Sequence, residues 1–115
     1  MYKSPVEYLR HIKEEIDYLV DASGEINENQ FMRSQTMERA FSRSLEVIGE
    51  AVKNLPGDFK KEHQEIDWKS VAGMRDKLIH HYFGVDYEIV WDVVKNEIPK
   101  LKVQVEEILE KLEKD

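Results

Sequence analysis

The stretch IDWKSVAGMRDKLIHHYFGVDYEIVWDVV, residues 66–94, contains two helix starts with one break between them. Asp67 can cap a helix whose apolar residues, from Trp68 to Ile79, recur every three or four positions. Gly84 lies just beyond this helix, and glycine readily takes the left-handed conformation that ends helices. Asp86 can cap the segment that follows. The stretch therefore predicts two consecutive helices, the third and fourth of the chain.

The first helix is predicted from its cap and its apolar spacing. Ser4 can cap it and Pro5 suits the first helical position, so the helix should begin there. It should stop near Asp21–Gly24, where Ala-Ser-Gly offers a carboxyl-terminal break. The apolar residues that recur at helical spacing are Tyr8, Leu9, Ile12, Ile16, Leu19 and Val20.

The second helix is predicted to be long and continuous. Asn27 or Asn29 can cap it, and its apolar periodicity runs to Pro56–Gly57. Gly49 lies inside it and costs about 1 kcal/mol relative to alanine. That glycine either lets another helix approach closely or is simply tolerated. The charged residues 59–64 that follow are predicted to be irregular or a short turn.

The fourth helix should kink or restart at Pro99, because proline clashes with the preceding turn. Apolar residues at helical spacing continue from there to the end of the chain, and no stretch alternates with the period of a strand. We therefore predict an all-α fold, an up-and-down four-helix bundle with a kinked or split C-terminal helix. Residues 1–115 are predicted to form a single domain.

The composition limits which partners the protein can have. The chain has a formal net charge of −7, and its acidic and basic residues are interleaved along the whole sequence. This argues against a protein that coats nucleic acid non-specifically, since such binding rests on many lysine and arginine contacts to phosphates. A small local site for one or two phosphates is still compatible with that charge. The absence of cysteine excludes thiolate metal sites and fits a reducing compartment.

The sequence predicts a soluble cytoplasmic protein with no membrane segment. The first residues, 1–16, read MYKSPVEYLRHIKEEI and lack the apolar region and small-residue cleavage site of a signal peptide. No apolar run approaches the roughly 20 residues that a helix needs to span a bilayer.

Four chemically active side chains are crowded together at Arg75, His80, His81 and Tyr82. On a regular helix, Arg75 and Tyr82 share a side, but His80 lies about 140° and His81 about 120° from the arginine. If these groups act together, the helix must distort near its end, or partner groups must come from elsewhere. Gly84 makes an early end plausible.

Two other interpretations of these residues are possible. Adjacent histidines are a poor chelating pair, because ligands on one helix need spacings of three or four, and we predict no metal site. The residues could also be purely structural. Tyr82 would then be a core tyrosine with a hydrated hydroxyl, and His80 and His81 would favour the helix dipole. Arg75 would pair with Asp76 or with a neighbouring helix. Spacing alone leaves this structural interpretation open.

The segment also resembles a known family. Arg75, four residues, His80, one residue and Tyr82 match the R-x4–6-H-x-Y motif of the HepT-like toxins, small helical nucleases of the HEPN superfamily. Residues 66–94 resemble the core segment of that family almost end to end. SLEVIGEAVKNLP, residues 44–56, resembles its second characteristic stretch. The resemblance thus covers most of the chain.

The resemblance implies a metal-independent endoribonuclease that needs no cofactor. It implies that Arg75 and His80 form the active site in a cleft between the protomers of a homodimer, with RNA, for example tRNA, as substrate. It also implies a type VII toxin–antitoxin pair, in which an MNT-type nucleotidyltransferase antitoxin transfers AMP from ATP to Tyr82 and silences the nuclease. His81 occupies the variable position of the motif, and its role is left open.

Two functions of other classes compete with this one. The protein could be a non-catalytic helical binding module or regulatory partner of a nucleotidyltransferase, with Tyr82 as its modification or docking point. It could also be a plain helical interaction domain, in which substitution of the motif residues changes stability alone.

Overall fold

The computed structural model of the chain describes residues 4–80 and 84–114, and for residues 79 and 80 it describes the backbone alone. The described helices are α1 Pro5–Gly24, α2 Glu28–Met32, α3 Gln35–Lys53, α4 Gly57–Glu62, α5 Trp68–Ala72, α6 Met74–Leu78, α7 Tyr87–Asp92 and α8 Ile98–Lys114. A π-helical turn, Val93–Glu97, joins α7 to α8. Two short strands, β1 Ile79–His80 and β2 Gly84–Val85, pair antiparallel. The predicted helical class is confirmed, whereas the regular four-helix bundle stays a prediction.

The prediction for α1 is confirmed at both ends. The Ser4 hydroxyl accepts a hydrogen bond from the backbone N–H of Glu7 at 3.3 Å, and the Glu7 carboxylate accepts one from the Ser4 N–H, also at 3.3 Å. This capping box begins the helix, which ends at Gly24. The buried apolar face of the helix consists of Leu9, Ile12, Ile16 and Leu19.

The second predicted helix is not continuous, and that prediction is wrong. Ser34 interrupts it: its hydroxyl accepts a hydrogen bond from the Met37 N–H at 3.1 Å and starts α3 as a new helix. The break orients α2 so that Phe31 is fully buried. Its ring packs 5.0 Å from Phe41 and 5.2 Å from Trp91, between centroids. Long-range aromatic burial therefore decides where the helix divides.

The prediction that residues 59–64 are irregular or a short turn is also wrong, because α4 covers most of them. Phe59 is buried beneath the rings of His63 and Trp68, at centroid distances of 4.5 and 6.2 Å. The Trp68 indole N–H donates to the His63 carbonyl at 2.8 Å. These contacts stabilise a short helix whose charged sequence gives little sign of it.

The third predicted helix divides at Gly73 into α5 and α6, although its apolar face is as predicted for Val71, Met74 and Leu78, which are buried. This pair of helices packs on α3 at Gly49. A Cβ atom placed on Gly49 would lie 3.4 Å from the backbone oxygen atoms of Val71 and Ala72. The interpretation of Gly49 as a point of close approach is therefore confirmed.

The C-terminal helix is not split at Pro99. The π-helical turn lies just before Pro99, and in it the Ile98 N–H donates to the Val93 carbonyl, five residues back. Proline has no N–H and clashes with the carbonyl four residues earlier. The wider turn absorbs that misfit, so that α7, the turn and α8 follow one another without a gap.

The core is built around α1, which packs against both α3 and α8. An ion-pair network reinforces the contact with α8: Asp17 lies 2.6 Å from the Lys13 ammonium and 3.2 Å from that of Lys102. The short α5–α6 pair covers the other side of α3. Within residues 4–80 and 84–114, no helix is long and apolar enough to cross a membrane.

Candidate active site

Arg75 lies on the exposed side of the very short helix α6. Met74 and Leu78, at the two ends of this helix, are buried and anchor it to the core, while Arg75, Asp76 and Lys77 between them are exposed. The anchors orient the helix, so the guanidinium is available at the surface next to the segment that carries the predicted histidine and tyrosine.

Arg75 borders a shallow concavity formed by three elements. Ser42 and Glu46 line it from α3, Leu78 from α6 and Val85 from β2. The concavity therefore lies where the segment that follows Arg75 returns to the core. Residues 44–56 were singled out in the sequence for their resemblance to the family, but spacing could not place Glu46 beside Arg75.

Glu46 gives this concavity a mixed charge. Its half-buried carboxylate lies 3.5 Å from the Arg43 guanidinium, one turn earlier on α3. The neighbouring Ser42 hydroxyl donates to the Glu38 backbone carbonyl at 2.9 Å. The carboxylate of Glu46 and the guanidinium of Arg75 thus border the same surface.

The chain leaves helical geometry immediately after Leu78. Ile79 pairs with Val85 and His80 with Gly84 in the antiparallel strands, and Gly84 has a φ of 76°. The helix therefore ends early, as Gly84 made plausible. Because His80 lies on a strand, the angle of about 140° from Arg75, which applies to a regular helix, does not describe its position.

Asp86 closes the base of this hairpin. Its backbone N–H donates to the Leu78 carbonyl at 2.8 Å. Its carboxylate accepts hydrogen bonds from the N–H groups of Glu88 and Ile89 at 3.1 and 3.2 Å, which caps α7 as the sequence predicts. Both ends of the segment that contains the motif are therefore attached to helices.

The predicted site residues fall into two groups. Arg75 is fully described and lies on the surface, and the backbone of His80 is placed in β1. The side chain of His80, together with His81 and Tyr82, lies outside the described residues. The convergence of Arg75, His80 and Tyr82 on one site stays a prediction.

Fold and site together describe a small, mostly helical protein with an exposed arginine just before a pair of short strands. The model of the family described as "Ribonuclease HepT-like" matches residues 12–108. A Caldanaerobacter subterraneus protein named "Putative RNase TTE0752" is 51% identical over 109 residues, which are 95% of this chain and 97% of that protein. The chain therefore belongs to the HepT-like ribonuclease family.

Two further relatives also align with nearly all of this chain. A Thermococcus cleftensis protein named "Probable ribonuclease HepT" is 45% identical over 94% of this chain and 98% of its own length. The whole chain also aligns, at 44% identity, with 52% of a Methanocaldococcus jannaschii protein named "Gamma-glutamylcyclotransferase and putative RNase MJ0434". No solved structure matches the chain.

Proposed function

We propose that the protein is a metal-independent endoribonuclease of the HEPN type that cleaves RNA with Arg75 and His80, and that modification of Tyr82 silences it. The observation that supports it most is the position of Arg75. The guanidinium is exposed on α6, directly before the chain turns into the strand that carries His80, in a family named for a ribonuclease.

The chemistry of RNA cleavage suits these two residue types. Cleavage requires that a proton leave the 2′-hydroxyl and that another reach the departing 5′-oxygen. The imidazole of histidine, with an ordinary pKa of about 6.5, can perform either transfer near neutral pH. The guanidinium of Arg75 stays charged, binds a phosphate through two parallel hydrogen bonds and stabilises the charge that develops on its oxygens.

A homodimer would complete this site, because each chain contains one motif histidine. Two copies that meet across a symmetry axis would supply two imidazoles, one neutral as the base and one protonated as the acid. The bundle of four helices predicted from the sequence would then act as the scaffold that presents Arg75 and His80 to the partner.

The proposed regulation acts through Tyr82. An MNT-type nucleotidyltransferase antitoxin would transfer AMP from ATP to the tyrosine hydroxyl and release pyrophosphate, in the cytoplasm where both the RNA substrate and ATP are present. AMP adds bulk and a negative phosphate two residues from His80, where an RNA phosphate has to bind. Incubation with such an enzyme and ATP should add AMP to the wild-type protein, detected by mass spectrometry, and leave Tyr82→Phe unmodified.

The test of the proposed activity is cleavage of RNA, with tRNA among the substrates, in the presence of EDTA. Wild-type protein should cut. His80→Ala should lower the cleavage rate by about 10²–10⁴-fold and Arg75→Ala by about 10²-fold or more. Lys77→Ala is the matched control, since it removes an exposed positive charge from the same helix.

Three results would count against this assignment: loss of cleavage in EDTA, full activity in the His80→Ala protein, or an equal loss in the Lys77→Ala protein. A wild-type protein that binds the nucleotidyltransferase stably and cuts no RNA would instead identify a non-catalytic binding module.

A further inference from the structure

Among the contacts of Asp86 are two that the sequence alone does not connect. Its carboxylate caps α7 through the N–H groups of Glu88 and Ile89, at 3.1 and 3.2 Å. Its backbone N–H donates to the carbonyl of Leu78 at 2.8 Å. One residue therefore joins the end of α6 to the beginning of α7.

The hydrogen bond from Asp86 to the Leu78 carbonyl connects Asp86 with the helix that carries Arg75. Leu78 is the last residue of α6, is buried, and lies one helical turn after Arg75. Because α6 is so short, its carboxyl end and the arginine move together. A shift of the Leu78 carbonyl relative to Asp86 would therefore displace the guanidinium.

The cap of α7 connects Asp86 with the core. The capped helix α7 continues through the π-helical turn into α8, which packs along α1. The side chains of Val90, Val93 and Val94 on this segment are buried. Asp86 thus connects β2 to helices α7 and α8, which are held in place by their packing.

The strand pairing lies between these two attachments. Ile79 pairs with Val85, next to Asp86, and His80 pairs with Gly84, two residues before it. The backbone position of His80 relative to Arg75 is set by this register. A hairpin with two pairs of residues has little stability of its own, so its geometry depends on how its base is held.

We propose that Asp86 is a positioning residue: it holds the base of the hairpin and so sets the placement of His80 relative to Arg75. The inference rests on the ribonuclease activity proposed above. A misplacement of about 1 Å in a catalytic group can cost about 10²-fold in rate. Loss of the cap should therefore affect turnover more than substrate binding.

The experiment compares three variants. Asp86→Ala removes the cap of α7, and Asp86→Asn keeps it, since asparagine caps helices as well as aspartate does. Asp67→Ala is the matched control: Asp67 caps α5 by accepting the Ser70 N–H at 3.1 Å and does not contact the hairpin base through that bond. The readouts are kcat and KM for RNA cleavage, the urea midpoint, and hydrogen exchange of the peptide that spans residues 79–85.

The expected result is a similar small drop of the urea midpoint in both alanine variants, with kcat reduced about tenfold or more in Asp86→Ala alone. KM should stay within about threefold of wild type, Asp86→Asn should restore most of kcat, and amide exchange over residues 79–85 should accelerate in Asp86→Ala but not in Asp67→Ala.

Equal effects of the two alanine substitutions on kcat and on exchange would overturn the inference, as would an Asp86→Asn protein as impaired as Asp86→Ala. The exchange measurement separates this failure from failure of the proposed function. If wild-type protein cuts no RNA, the ribonuclease assignment fails, and selective exchange in Asp86→Ala still decides whether Asp86 holds the hairpin.

Discussion

At the scale of single residues, the surroundings of Arg75 matter for its proposed role as much as its charge does. It is exposed on α6 between two buried anchors, and it shares a concavity with Ser42 and Glu46 of α3. A guanidinium offers a planar fork to a phosphate, whereas an ammonium is a point charge. Shape as well as charge should therefore matter at this position.

Arg75→Lys tests this distinction because it keeps the charge and removes the fork. We expect kcat for RNA cleavage to fall about tenfold or more, while the dependence of RNA binding on salt stays close to that of wild type. Lys77→Arg is the reciprocal control and should change neither quantity. If Arg75→Lys cleaves RNA as fast as wild type, the guanidinium does not bind the reacting phosphate in a bidentate manner.

Gly84 has a φ of 76°, in the region that disfavours side chains. A Cβ atom there would meet no other atom within 4 Å, so the cost of a substitution comes from the backbone. Gly84→Ala should destabilise the protein by about 1–2 kcal/mol in urea denaturation. Gly57→Ala, also without neighbours within 4 Å, should leave stability unchanged or slightly higher. Equal stabilities of the two variants would contradict this account of the turn.

At the scale of elements, most helix starts with a side-chain cap were predictable, whereas the capped start at Ser34 and the other helix interruptions were not. The box formed by Ser4 and Glu7 starts α1, and Asp67 and Asp86 start α5 and α7, as expected from residues within one turn. The division at Ser34 depends on the distant ring of Trp91, and the formation of α4 depends on Trp68, which lies beyond the end of that helix. Local signals cannot report such contacts.

The contact of α3 with α5 leaves room at Gly49 for a Cβ atom but for little more. Gly49→Leu should overpack the contact with the Val71 and Ala72 carbonyl groups and cost about 1–3 kcal/mol. Gly49→Ala should be close to neutral, because its Cβ would lie at 3.4 Å, an ordinary contact, and alanine favours the helix by about 1 kcal/mol. Urea denaturation measures both. A leucine variant as stable as the alanine variant would show that the helices do not approach this closely.

At the scale of the whole molecule, α1 and α8 are joined by charge as well as by apolar packing. Burial raises the pKa of Asp17, but the hydrogen bond from Lys13 and the contact with Lys102 outweigh it, and the net pKa lies below the ordinary value of 3.8. The hydrogen bond to Asp17 likewise raises the pKa of Lys13 above 10.5. The network therefore stabilises the folded state at pH values between 3.8 and 10.5.

The direction of the Asp17 shift gives a pH-dependent prediction. Its contribution is present above pH 3.8 and is lost as the pH falls through the lower pKa of the folded state. Asp17→Asn should cost about 1 kcal/mol at neutral pH, since the pair is partly exposed, and the difference from wild type should shrink in acid. Asp21→Asn removes an exposed acidic side chain from the same helix and is the matched control in urea denaturation. A constant Asp17→Asn deficit at all pH values would be inconsistent with the shift.

The proposed dimer makes a prediction about mixed subunits. Light scattering should first show two chains per particle. If each active centre needs two imidazoles, hybrids of wild type with His80→Ala are inactive, and activity falls with the square of the wild-type fraction. Hybrids of wild type with Lys77→Ala should retain activity at every ratio. A linear fall with the His80→Ala fraction would show that each chain cuts RNA alone.

The sequence by itself determined the helical class, the capped helix starts and the family resemblance that points to Arg75, His80 and Tyr82. These features depend on residues within a turn of one another, or on a motif that is contiguous in the chain. The tertiary structure alone decided where helices divide, that the motif leaves its helix at Leu78, and that Glu46 and Arg75 border one surface. Those outcomes depend on the burial of Phe31 and Phe59 and on the packing of α6 against α3, contacts that reach beyond one turn of a helix.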